Sequence, residues 1–181
     1  MQDWNVIVTI RESGFKDAVK LLEQFGPVRR TDFFNVLVMK AHDVQEMLQE
    51  LRKEIIQNPG TLNFISRVVP VTATFNFQSK EELESRAKEI VLQWLPQLAG
   101  KKFHVRVHRR GFKGRLSSID VEHFLDGILL EQLERMGTPG QIDFESPDAI
   151  LAVETVGQKA GISCWTRADL EAFPFLGLID S

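Results

Sequence analysis

The chain has 181 residues, 43% of them hydrophobic, and a formal charge of −3 from 22 Lys and Arg against 25 Asp and Glu. That length suits one large domain or two small ones, with enough apolar residues for a real core. The acidic balance excludes a uniformly basic nucleic-acid binder, and no apolar run reaches the ~20 residues that span a bilayer. A single cysteine, Cys164, excludes an intrachain disulfide and fits a reducing compartment. The segment Met1-Gln-Asp-Trp-Asn5 lacks the basic-then-apolar order of a secretory signal. The expectation is a cytoplasmic protein with no membrane partner.

The first half reads as alternating short strands and helices. Val6 to Ile10 is a β-branched run. Phe15, Ala18, Val19, Leu22 and Phe25 have helical spacing, stopped by Gly26-Pro27. Pro27 to Thr31 and Phe33 to Lys40 are two extended pieces around Asp32. His42-Asp43 opens a helix with Val44, Met47, Leu48, Leu51 and Ile55 on one face, ended by Asn58-Pro-Gly60. Ile65 to Phe77 is extended again, with Pro70 suited to an edge or a bulge. The order β-α-β-β-α-β is the split βαβ of ferredoxin-like domains. A boundary at Gln78-Ser79 gives domains 1–78 and 79–181.

Ser79-Lys-Glu-Glu82 reads as a capping box for a helix carrying Leu83, Ala87, Ile90, Val91, Trp94 and Leu98, broken or kinked at Pro96. Ser117 with Asp120 caps a long helix whose apolar face is Val121, Phe124, Leu125, Ile128, Leu129, Leu133 and Met136. Strands at Gln141 to Phe144, Ala149 to Val156 and Ala160 to Thr166 follow, then the apolar tail Phe173-Pro-Phe-Leu-Gly-Leu-Ile179. The fold class is α+β, with mixed α/β sheets.

Between those two helices lies the stretch from Lys101 to Arg115, holding seven Lys or Arg, two His and no carboxylate. Its first half alternates, with Phe103, Val105 and Val107 against His104, Arg106 and His108, the period of a strand with one polar face. Its second half, Arg109-Arg-Gly-Phe-Lys-Gly-Arg115, reads as a flexible loop. A basic strand feeding a glycine-containing basic loop is suited to following a phosphate backbone. The plainer reading is a solvated strand face and a charged turn. Gly111-Phe-Lys-Gly114 is a G-x-x-G, the backbone clamp of K-homology domains, although there it joins two helices and here it follows a strand. Phe112 either stacks on an unpaired base or folds back on the core.

Signatures of catalysis are not found. Neither nucleotide-binding glycine loop occurs, nor a G-x-S-x-G elbow. His104 and His108 fall on one face of a strand, but four residues apart there is roughly 13 Å, too far to share an ion. Asp143 with Glu145, or Asp148 with Glu154, can in principle do acid–base work, whereas Ser146-Pro147-Asp148 reads as turn chemistry. Cys164, between Ser163 and Trp165, reads as a structural thiol. The expectation is no catalytic residue, no metal and no cofactor.

The order of parts resembles the THUMP-domain family over nearly the whole chain. Phe103-His-Val-Arg-Val-His-Arg-Arg110 is similar to the family's basic strand. Glu145-Ser-Pro-Asp148 followed by Ile150-Leu-Ala-Val-Glu154 resembles its strand entry, and Gly161-Ile-Ser-Cys-Trp165 its final strand. The resemblance implies a ferredoxin-like unit followed by a THUMP-type unit that binds RNA, chiefly tRNA at the acceptor end. Members that carry no catalytic domain resemble the adaptor that presents tRNA to a cytidine acetyltransferase.

The reading is therefore a non-catalytic RNA-binding protein that presents tRNA or another structured RNA to a tRNA-modifying enzyme, such as an acetyltransferase, in trans. Its RNA contacts are Arg106, Arg109, Arg110, Lys113 and Arg115, supported by Lys101, Lys102, His108 and Phe112, with Arg29 and Arg30 secondary. The alternatives are a protein-interaction module using the 173–179 tail, or a small-molecule-binding regulatory domain.

Overall fold

The computed structural model describes residues 3–179; Met1 and Gln2, where the signal-sequence reading begins, lie outside them. Two compact units form, one from the residues up to Val71 together with those from Leu170 onward, the other from Thr72–Asp169.

In the first unit β1 (Val6–Ile10), β2 (Val28–Arg30), β3 (Val36–Met39) and β4 (Ile65–Pro70) form an antiparallel sheet in the order β2-β3-β1-β4. Helices α1 (Phe15–Leu22) and α2 (Val44–Gln57) connect them, which completes the split βαβ. Asp43 caps α2 by accepting the Glu46 N–H, as a short polar residue before an apolar run should. Pro70 ends an edge strand, where its missing donor costs no ladder bond. The tail resolves the question left by the sequence: Phe173, Phe175, Leu176 and Leu178 are buried in this unit, so it is core, and only Pro174 and Ile179 are exposed. The observation that favoured a protein-docking tail is thereby removed.

Ile65 to Phe77 is not one strand. After β4 the chain passes to β5 (Ala73–Asn76), which pairs with a strand of the second sheet, and Thr72 N–H already donates to Ile162 O. The divide therefore lies at Val71-Thr72, ahead of Gln78-Ser79. The return of the chain to the first unit within α6 (Arg167–Ala172) had no signal in the local pattern.

The second unit holds β5, β6 (Lys102–His108), β7 (Gln141–Ile142), β8 (Ala149–Val156) and β9 (Lys159–Thr166) in the order β5-β9-β8-β6-β7, with β6 parallel to both neighbours. Helices α3 (Lys80–Val91), α4 (Leu95–Leu98) and α5 (Ser118–Arg135) complete it. Phe103, Val105 and Val107 join Leu151, Val153, Ile162 and the inner faces of α3 and α5 in one core. Ser79 caps α3 by accepting the Glu82 N–H, but the Glu82 carboxylate reaches one residue further back, to the Gln78 N–H. On α5 the buried apolar positions are Val121, Leu125, Leu129 and Leu133; Phe124 and Met136, read as part of the apolar face, are exposed. The strand expected at Gln141 to Phe144 stops after two residues, because Asp143 turns the chain by accepting the N–H groups of Glu145 and Ser146.

Candidate nucleic-acid interface

The polar face expected on β6 is largely internal. His104 is 4% exposed, and Arg106 and His108 are half-buried. The reason is register: β6 lies beside β8 over its whole length, every residue of β8 is buried, and Glu154 of β8 sits opposite His108. Glu154 has no exposed surface. The Arg110 guanidinium donates to its Oε2 at 2.8 Å, and His108 Nδ1 lies 3.4 Å from its Oε1. An unpaired buried carboxylate is expensive, so this residue demands partners, and the basic stretch supplies the Arg110 cation and the His108 imidazole.

The edge of β6 beyond the short β7 is closed from the other side. Val105 N–H donates to Asp126 at 2.9 Å and Val107 N–H to Glu122 at 2.8 Å. Residues i and i+4 on a helix are ~6 Å apart, close to the spacing of alternate strand residues, so one helix face can cap two strand donors. Burial pushes the Asp126 carboxyl up to about 7, opposed by its hydrogen bond from Val105 and reinforced by Glu122.

At its C-terminal end β6 delivers a fixed loop. Arg110 N–H donates to Thr155 Oγ1 at 2.9 Å, and Gly157 N–H to Arg110 O at 2.8 Å, which ties the chain to the β8–β9 turn. Gly111, Phe112 and Gly114 all have left-handed backbones, at φ 96°, 55° and 76°. Phe112 is folded back: its ring lies 5.0 Å from that of Phe77, and the Arg115 guanidinium sits 4.5 Å above it. Arg109 turns inward to donate to Gly111 O. Lys113 and Arg115 are exposed, Arg115 also donating to Gln78 O at 3.4 Å.

Lys101 and Lys102 are also exposed, but at the opposite end of β6. Seven strand residues separate the two exposed groups by roughly 20 Å. The fifteen-residue stretch is thus two cationic sites joined by a buried strand. Arg29 and Arg30 belong to the first unit, on edge strand β2, where Arg30 stacks 3.6 Å above the Phe15 ring. Among the described residues no group of three His, Cys, Asp or Glu is placed to share a metal ion. No helix among them is long and apolar enough to cross a membrane.

Local sequence reasoning did not find three further residues. Trp94, exposed in part, and Arg167 line one cleft with Lys101, while the turn after β7 leaves Phe144 64% exposed with its ring 5.1 Å from that of His104. Only the pairing of β6, β8 and β9 brings positions 94, 101 and 167 together. Glu154 did carry a signal, as a carboxylate inside an otherwise apolar strand.

Residues 77–164 match the family model of the THUMP domain. The chain carries a THUMP domain. The match begins at Phe77, beneath the loop, and includes both ends of β6. A tRNA sulfurtransferase of Shewanella baltica is 27% identical over 143 residues, 79% of this chain and 27% of that protein. The chain thus spans about a quarter of the length of the sulfurtransferases it matches. Among solved structures, TrmN from Thermus thermophilus superposes with a TM-score of 0.60 at 19% identity, covering 89% of this chain and 44% of that one. A 4-thiouridine synthetase solved with RNA and ATP gives a TM-score of 0.53 at 18% identity, covering 91% and 42%. These two share the fold.

Proposed function

We propose that this protein binds tRNA through its THUMP domain and presents the acceptor end to a tRNA-modifying enzyme acting in trans, an acetyltransferase being one candidate. In this reading the chain contributes binding and no catalytic residue. The observation that carries the reading is that the THUMP match covers the residues forming the left-handed basic loop. Similarity to tRNA sulfurtransferases supports tRNA as the ligand, and the RNA-bound state of the 4-thiouridine synthetase supports the fold as an RNA scaffold.

The geometry divides the labour among the basic residues. Lys113, Arg115, Lys101 and Lys102 are the phosphate contacts in this reading, because all four residues are exposed. Arg109 shapes the loop. His108 and Arg110 hold Glu154 and fix the direction in which the loop leaves the sheet. Arg29 and Arg30 remain secondary contacts on the first unit.

Filter binding of tRNA across a salt series tests this directly. Four phosphate contacts give a slope of log affinity against log salt of roughly −3. Lys113→Glu with Arg115→Glu should weaken binding by about tenfold and flatten the slope by about 1.5 to 2. A slope near zero, or no response to the double variant, overturns the reading.

A further inference from the structure

At the Lys101 end of β6 the second unit has a cleft of about 420 Å³. That is within the ~300–1,000 Å³ of sites that hold small ligands. Trp94 forms one wall, placed by the 3₁₀ turn Leu92–Trp94 ahead of Pro96. Ala149 and Cys164 contribute to its apolar surface, and burial pushes the Cys164 thiol up to about 12, so it stays neutral. Gln97, Lys101 and Arg167 add an amide and two cations. Arg167 is held in place by Ser146 O at 2.8 Å, Pro147 O at 3.2 Å and Asp148 Oδ1 at 3.2 Å. Asp148, the carboxylate among the lining residues, is committed to Arg167 and to the Lys102 N–H at 2.9 Å. The carboxylate is thus partly neutralised, while the Lys101 ammonium has no partner among the described residues.

We propose that this cleft receives one unpaired nucleotide of a bound RNA strand, its base stacked on Trp94 and its phosphate on Lys101 and Arg167. The proposal rests on the RNA-binding reading above and gives the Lys101 end a role different from that of the loop. An indole presents a flat surface to any base, and a neighbouring cation satisfies the phosphate that follows it. Base-paired RNA offers no free base face, so the cleft discriminates between single strands and duplex, whereas the loop contacts backbone in either.

Intrinsic fluorescence is a suitable probe because Trp4 and Trp165 are buried, at 1% and 7% exposed, and Trp94 alone of the three tryptophans is partly exposed. The full chain is titrated with a single-stranded RNA hexanucleotide, a blunt RNA duplex and adenosine monophosphate, with filter binding in parallel. The hexanucleotide should quench emission saturably, and the duplex should bind without quenching. Trp94→Ala should cost the hexanucleotide about tenfold in affinity and leave the duplex unaffected. Trp94→Phe, which keeps the packing, should abolish the quenching while retaining most of the affinity, and Lys101→Gln should weaken the hexanucleotide more than the duplex.

Hexanucleotide binding with no quenching and no loss in Trp94→Phe, Trp94→Ala or Lys101→Gln would overturn the proposal and leave the RNA-binding reading standing. Equal affinity for the monophosphate would also overturn it, in favour of a free-nucleotide site. Failure of both tRNA and hexanucleotide to bind the wild-type chain would overturn the RNA-binding reading and this proposal with it.

Discussion

The strand and the loop of the basic stretch start from the same composition and end with opposite fates. In β6, cations and polar groups are drawn inward: His104 is buried, and His108, with Arg110 just past the strand end, closes on Glu154. In the loop, Phe112 and Arg109 turn inward and leave Lys113 and Arg115 outside. The difference teaches that local positive charge in a sequence becomes surface charge only where no buried carboxylate claims it. A desolvated Glu154 without partners would cost several kcal/mol, far more than a solvent-exposed arginine contributes to a fold. The inward half therefore makes the outward half rigid, since Arg110 is at once the partner of Glu154 and the first fixed point of the loop.

The strongest way to break this comparison is to remove the claimant. Glu154→Gln leaves two basic groups without their buried counter-charge, a change worth about 3–5 kcal/mol. For a chain of this size the melting temperature should fall on the order of 10 °C, measured by calorimetry at neutral pH. A shift under about 2 °C would mean that the pair contributes little and that the loop is held by other contacts.

A smaller effect sharpens the picture on the other edge of β6. In the unfolded chain Asp126 titrates near its ordinary 3.8, whereas in the folded protein it is pushed up to about 7. Between about pH 4 and pH 7 the native state holds a proton that the unfolded chain has released, so raising the pH through that window lowers stability. Above pH 7 the loss is complete and constant. Asp126→Asn keeps an oxygen for the Val105 N–H and cannot ionise. The variant should match wild type near pH 4 and exceed it at pH 8, by about 1–3 kcal/mol. Urea unfolding at the two pH values reads the gap, and a gap that does not change with pH would show that Asp126 does not titrate across this window.

How much of this was legible beforehand follows from the range of the forces involved. The βαββαβ order, the caps at Asp43, Ser79 and Ser117, and the strand at 102–108 are local, set by periodicity and by side-chain acceptors near helix starts. The break at Val71-Thr72 was not legible, because β4 and β5 have similar β-rich sequences and only their partners differ. The alternation of β6 placed its faces correctly but did not say that the polar face would be covered. That depends on Glu154, forty-six positions after His108 in the chain and opposite it in the sheet. The cleft at Trp94 was hidden for the same reason, being assembled from three strand ends and a helical turn. Phe112 was an open choice between a base and the core; its proximity to Phe77 decided it.

The finest test separates the shape of the loop from its charge. Gly114 has φ 76°, and a Cβ added there would meet nothing within 4 Å. Gly114→Ala therefore introduces no clash, only the roughly 1 kcal/mol that a left-handed backbone costs a residue with a side chain. Part of that is offset, because alanine also restricts the unfolded chain. The melting temperature should move by no more than a few degrees. Its neighbour Phe112 tolerates the same conformation because its ring is packed on Phe77; alanine at 114 has no such compensation, so the loop should relax toward a more ordinary backbone. If the left-handed shape is what aims Lys113 and Arg115, tRNA affinity should fall by about threefold while the salt slope stays unchanged, since no charge is lost. The charge-reversal variants change the slope; this one should change only the intercept. Unaltered affinity would show that charge alone serves the RNA, and that the glycines of Gly111-Phe-Lys-Gly114 are there to let the chain turn.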